Sequence, residues 1–229
     1  MKTVIITGAN GNLGTAVTRE FLDKGYRVVA TVLNESMKAD FPAHDSLSLS
    51  VADLGNEVAA AAFVQSVIEQ YGTVTAGLLL VGGFAMGNVD ATPSSMIEQQ
   101  IALNFTTAYH VARPLFQHML SQKTGRLVFI GARPAIEPAQ GKNLIAYSLS
   151  KSLLFTLAEF LNEEARGANV TATVVAPSTL DTPLNRKSMP ETDPEIWVKP
   201  HALAEILSFV VSEQGSPLRE TVLKVYNNA

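Results

Sequence analysis

Tyr147 and Lys151 stand four residues apart in the run YSLSK. On a helix that spacing puts both side chains on one face, with an ammonium beside a phenol. A neighbouring cation favours the phenolate and lowers a pKa that starts near about 10, which brings a tyrosine into range as an acid at neutral pH. The same spacing occurs on ordinary helices as a half-buried aromatic next to a solvated charge. The pair therefore takes its meaning from what accompanies it.

The run TGANGNLG, residues 7 to 14, carries Gly8, Gly11 and Gly14 in the pattern GxxGxxG, directly after a short apolar stretch. A glycine at a strand end permits a tight turn, a second lets backbone approach a ligand, and a third lets the following helix pack closely on the strand. The helix that begins at Asn12 and Leu13 would turn unsatisfied N–H groups and its positive dipole end toward a pyrophosphate. A second apolar run ends at Leu33, where an adenosine ribose would lie. An acidic residue there binds the ribose hydroxyls of NAD, and a basic one accepts the phosphate of NADP. The chain reads Thr31-Val32-Leu33-Asn34-Glu35-Ser36, with Lys38 beyond, and satisfies neither rule. NAD and NADP both stay open as the cofactor. Asp53 and Leu54, past the third apolar run, are placed to touch an adenine ring, and Asp53 reads equally as the N-cap of the next helix.

Positioning such groups requires a scaffold. Runs rich in Val, Ile and Leu recur at 3–7, 26–33, 47–51, 77–82, 126–131, 170–176 and 222–226. Stretches with helical periodicity separate most of them, at 12–24, 54–71, 94–122, 144–166 and 200–213. This alternation predicts βαβ units, and the continuously apolar strands predict burial on both faces. The expected fold is a single α/β domain over 1–229, a Rossmann-like doubly wound parallel sheet with helices on both faces. Residues 177–200 break the pattern, with five prolines and the only tryptophan, Trp197. An irregular insert of that length predicts a substrate loop, with disorder or a purely structural anchoring of the segment as the alternatives.

Composition narrows the function. Of 229 residues 47% are apolar and 17% charged, and the net charge of −4 is spread along the chain, so no basic surface suited to nucleic acid or anionic lipid is expected. The absence of cysteine excludes disulfides, zinc–thiolate and iron–sulfur sites and thiol catalysis, and no metal site is expected. The opening MKTVIITG reads as a first strand and not as a signal peptide. The longest apolar run, 74–87, is interrupted by glycines and falls short of the roughly 20 residues that span a membrane. A soluble cytoplasmic protein acting on a small molecule is expected.

The glycine turn, Val81-Gly82-Gly83 at a strand end, Asn104 and the Tyr147/Lys151 pair occur in the order and spacing of the short-chain dehydrogenase/reductase family, which the chain resembles over essentially its whole length. The resemblance implies a nicotinamide cofactor across the carboxyl ends of the strands. It implies Tyr147 as proton donor, Lys151 on the nicotinamide ribose, and Asn104 holding a water for proton relay. Pro177, Leu180 and Thr182 match the segment that holds the nicotinamide carboxamide. Two departures stand out. The glycine spacing is not the usual TGxxxGxG, and Ala132-Arg133-Pro134-Ala135 occupies the place of the family's catalytic serine. Without that hydroxyl a substrate carbonyl loses one hydrogen-bond donor.

One subgroup, the dihydropteridine reductases, is similar in both departures and carries a segment similar to TLDTPLNRKSMPE, residues 179 to 191. It differs at Leu33, where the subgroup has an aspartate, and at Asn104. A quinonoid dihydropterin is an electron-poor ring that accepts hydride without a polarised ketone, so the missing serine is tolerable. The resulting expectation is reduction of such a ring by a nicotinamide nucleotide with Tyr147 as proton donor. Met86, Met189 and Trp197 are candidate pocket residues, although each methionine also reads as apolar packing. The alternatives are a carbonyl reductase with a ketone or aldehyde substrate and a nucleotide-sensing protein without turnover. On helix 144–166, Tyr147, Lys151 and Phe155 are expected to face the site. Leu149, Leu153, Leu157, Phe160 and Leu161 need other cover, either burial against helix 94–122 or the two-fold helix–helix interface of a homodimer, which is the expectation.

Overall fold

Strand residues alternate between two faces, and in this chain both faces are apolar. Ile5, Leu127 and Phe129 enter one core, whereas Val4, Ile6, Val128 and Ile130 enter the other. A sheet built from such strands needs helices on each side. The computed structural model, which describes residues 1–228, shows seven parallel strands in the order β3-β2-β1-β4-β5-β6-β7. They are β1 (Thr3–Thr7), β2 (Arg27–Val32), β3 (Leu47–Val51), β4 (Ala76–Leu79), β5 (Thr124–Ile130), β6 (Asn169–Pro177) and β7 (Val222–Val225). The helices are α1 (Asn12–Asp23), α2 (Glu57–Tyr71), α3 (Ser94–Ile101), α4 (Thr107–Gln122), α5 (Pro138–Gly141), α6 (Ile145–Glu164), α7 (Pro183–Ser188) and α8 (Pro200–Val211). Residues from α2, α4 and α6 fill the first core, and α1 packs with α8 over the second. Strand order reverses between β1 and β4, which opens a crevice at their carboxyl ends. No helix among the described residues is long and apolar enough to cross a membrane.

Three expectations change. The helix predicted over 94–122 is broken: between α3 and α4 the chain forms a π-helical turn, Ala102–Thr106, with Asn104 inside it. The change of phase is confined to five mostly apolar residues, too few to register as a break in helical period, so periodicity does not reveal it. The helix expected from residue 54 begins at Glu57, because Asn56 and not Asp53 accepts the Ala59 N–H as N-cap. Asp53 instead accepts from Gly55 N at 3.0 Å in the preceding turn.

The third change concerns residues 177–200, which are ordered into two short helical pieces, α7 and a 3-10 turn at Pro194–Ile196. The base of the segment is stapled where Leu180 bridges to Val198. Trp197 is 2% exposed, so it anchors the segment and does not line an open pocket. The Asn227 amide adds to that anchorage by donating to the Trp197 carbonyl at 3.1 Å.

Candidate functional site

The turn after β1 sets the floor of the crevice. Gly8 has φ +66°, a conformation that L side chains rarely adopt, and a Cβ there would meet Val81 N at 3.2 Å. Gly14 lies inside α1 where a Cβ would run into the carbonyls of Gly8 and Ala9. Both glycines are demanded by the fold. Gly11 is different: its φ is −72°, and the nearest protein atom to a Cβ there is 3.4 Å away. No protein contact requires glycine at this position, and it faces a cavity of about 590 Å³. An open backbone at the start of a helix with no side-chain cap and no acidic residue in its first turn fits a pyrophosphate. The residues present therefore fit a dinucleotide.

Of the residues expected to bind it, Gly8, Gly11, Leu33, Asp53, Leu54, Val81 and Gly82 line this cavity. Asn12, Leu13 and Gly14 belong to the first turn of α1 behind it. Asn10, Thr31, Met37 and Gln99 also line the cavity and were not foreseen. Met37 had no legible signal, since it reaches the site through a 3-10 turn at Glu35–Asp40 and accepts from Asn10 Nδ2 through its sulfur at 3.1 Å.

At the other end of the crevice α6 presents Tyr147 and Lys151 one turn apart. Lys151 is 5% exposed and its Nζ donates to the Ile130 carbonyl at 2.7 Å. Burial brings its pKa down to about 8. The Tyr147 phenol is pushed up to about 12 by burial. The expected lowering of the phenol by its neighbour is not seen in this structure, where burial acts on both groups and the ammonium donates to a main-chain carbonyl and not to the phenol. Among the described residues no hydrogen bond reaches the Tyr147 hydroxyl. Its ring is instead met edge-on by Phe84, with centroids 5.1 Å apart and planes at 66°. Phe84 is 61% exposed, and its place just after Gly83 at a strand end was the only signal that could have marked it.

Asn104 is 0% exposed and its carboxamide is committed within the protein. Oδ1 accepts from Gly83 N at 2.8 Å, and Nδ2 donates to Gln100 Oε1 at 2.9 Å and to Ser150 Oγ at 3.0 Å. Both amide hydrogens are used, so the side chain has no donor left for the water expected on it. Gly82 is confined by the same group: a Cβ there would meet Asn104 Oδ1 at 2.7 Å and Lys151 Nζ at 3.1 Å. Gly82, three residues past β4, thus leaves the room that Asn104 and Lys151 occupy.

Ala132, buried at the end of β5, leaves no hydroxyl where the serine would be. Arg133 beside it turns away from that position, pairing with Glu137 at 2.8 Å and lying over the Tyr226 ring at 4.7 Å. Beyond β6, Pro177 ends the strand and Leu180 makes the staple described above. Thr182 Oγ1 caps α7 by accepting from Asn185 N at 3.2 Å. Asp181 is held by Arg186 Nη2 at 2.8 Å and Lys199 Nζ at 2.9 Å, and these bonds keep its carboxyl far below the usual carboxylate range. Met86 is exposed and Met189 half-buried. Phe155 packs toward Gly131 and the core, which corrects its expected facing, and Leu157 and Leu161 find cover against the same core within the chain.

Residues 2–193 match the family model described as short chain dehydrogenase. The chain is 27% identical to acetoacetyl-CoA reductase of Acinetobacter sp. (strain RA3849), covering 98% of this chain and 96% of that protein. It is 28% identical to dihydropteridine reductase of Dictyostelium discoideum, covering 97% of this chain and 94% of that protein. The solved structure of ElxO with NADP bound superposes with a TM-score of 0.90 at 19% identity, over 99% of this chain and 97% of that one.

Proposed function

The chain belongs to the short chain dehydrogenase family and is an oxidoreductase of that type, and from this premise we propose that it reduces an electron-poor conjugated ring of the quinonoid dihydropterin class with NADH or NADPH. The observation that carries the reading is Ala132, buried and without a hydroxyl, together with the exposed Phe84 ring set against Tyr147. A ketone substrate draws on a second donor to polarise its carbonyl; a quinonoid ring needs stacking and a proton. A nicotinamide nucleotide supplies the hydride when bound. Gly8, Gly11 and the first turn of α1 hold its pyrophosphate, Lys151 its nicotinamide ribose, and Leu33, Asp53 and Leu54 its adenosine. Pro177, Leu180 and Thr182 would hold its carboxamide, for which Thr182, already accepting from Asn185 N, keeps a hydroxyl proton to donate. Tyr147 gives its phenolic proton to the ring nitrogen of the reduced acceptor. A phenol kept neutral by burial arrives at that step protonated.

The similarity to a dihydropteridine reductase supports the substrate class, and the similarity to an acetoacetyl-CoA reductase at the same level makes a carbonyl reductase the competing outcome. Oxidation of NADH and of NADPH is to be followed with quinonoid dihydropterin and with a panel of ketones and aldehydes. Turnover confined to the pterin supports the reading and identifies the preferred nucleotide. Turnover of carbonyls without the pterin sinks it. We further propose that the chain forms a homodimer through α6, where Leu149, Leu153 and Phe160 are exposed.

A further inference from the structure

We propose that Gln100 is a positioning residue that sets the backbone at Gly83 and the helical turn carrying Tyr147 through Asn104 and Ser150. What it serves rests on the reductase reading above; what it holds rests on geometry alone. The polarity of the chain of bonds is forced from one end. Gly83 N is a donor only, so Asn104 must present Oδ1 to it at 2.8 Å. Nδ2 then faces the other way and needs two acceptors, which are Gln100 Oε1 at 2.9 Å and Ser150 Oγ at 3.0 Å. Having accepted, the Ser150 hydroxyl has its proton free for the Tyr147 carbonyl at 2.8 Å. Gln100, Asn104 and Ser150 are all buried, so each link is made within the protein.

Removing the Gln100 acceptor leaves a buried Asn104 N–H unpaired, and the carboxamide can relieve that only by turning. Turning takes Oδ1 from Gly83 and Nδ2 from Ser150 together. The segment after β4, where Gly82 abuts Lys151 Nζ, and the turn that bears Tyr147 then lose their common tie. Gln100 sits four residues before Asn104 and its main-chain helix ends at Ile101, so the bond spans the junction between α3 and the π-turn. It therefore also fixes the place at which the helix changes pitch.

Amide exchange at Gly83 is to be compared in the full-length chain without substrate for the parent, Gln100→Met, Gln100→Leu and Gln100→Glu. Two removal variants of different shape guard against a packing failure in one. Exchange at Gly83 is expected to quicken about tenfold in the Met and Leu variants while Leu78 in β4 stays protected, and Glu, which keeps an acceptor oxygen, is expected to stay within about threefold of the parent. In turnover, the Met variant is expected to lose about tenfold in kcat with the nucleotide KM within about twofold, and to add less than about twofold to Asn104→Ala. Unchanged exchange at Gly83 overturns the proposal, and so does a kcat loss of equal size on the Asn104→Ala background. A parent chain that oxidises neither nucleotide contradicts the reductase reading, while the exchange comparison still decides what Gln100 holds.

Discussion

Lys151 carries an ammonium that is 5% exposed and bonded to a neutral carbonyl. Its pKa falls from 10.5 to about 8, so the folded state favours the neutral amine more than the unfolded state does. Stability then rises as pH climbs from about 8 to about 10.5, and below that window the buried cation costs roughly 3 kcal/mol. Lys151→Met removes this cost and loses the bond to Ile130. Urea melts are expected to show the variant about 1–2 kcal/mol more stable at pH 7, with the gap closing above about pH 10. A variant less stable at pH 7 would mean that the cation is better solvated than its burial implies. Tyr147→Phe keeps the ring that Phe84 touches and deletes the phenolic proton. It is expected to cut kcat by about a hundredfold or more while nucleotide affinity, measured by fluorescence titration, changes less than about threefold. Near-normal turnover would show that another group, or water, is the proton donor.

At the level of elements, the sheet was legible because strands buried on two faces write continuous apolar runs, and the glycine turn was legible because Gly8 and Gly14 are both sterically required. What escaped were features that depend on chain return. The π-turn around Asn104 changes pitch without changing composition. Trp197 sits in a proline-rich stretch whose residue types suggest a loop, and only the Leu180–Val198 bridge brings it into the interior. Gln100 had a signal that went unread, since a Gln four residues before an Asn is a hydrogen-bonding pair on a helix.

The same return creates a latch. Asp181 ties α7 through Arg186 to the base of the segment through Lys199. Asp181→Asn is expected to speed trypsin cleavage at Arg186 and Lys187 about tenfold with little change in global melting. Cleavage at the parent rate would show that the staple and the Thr182 cap hold α7 without the latch.

For the whole molecule, the parallel order with its reversal between β1 and β4 places the dinucleotide cavity and the Tyr147 turn along one crevice. Of the residues assigned to one site from their order, Gly8, Gly11, Leu33, Asp53, Leu54, Val81 and Gly82 line that cavity, and Lys151 lies beside it at Gly82. The outer face of α6 lies away from it. Two of the five apolar positions there, Leu157 and Leu161, pack against the core, because periodicity cannot tell a core-facing flank from an outer one. Leu149, Leu153 and Phe160 are those left exposed. Phe160→Lys is expected to convert a dimer to a monomer in light scattering at micromolar concentration with the melting of the subunit little altered. A parent chain that is monomeric at that concentration would contradict the proposed interface.

The most direct test of the account is the ratio of kcat/KM for quinonoid dihydropterin to that for a simple ketone, measured with the better of the two nucleotides. An electron-poor ring accepted at a site that lacks a second donor at Ala132 predicts a ratio above about 100, and Ala132→Ser is expected to lower it by improving the ketone. A ratio near or below one would contradict the claim and make the chain a carbonyl reductase whose 179–191 segment does not select the pterin.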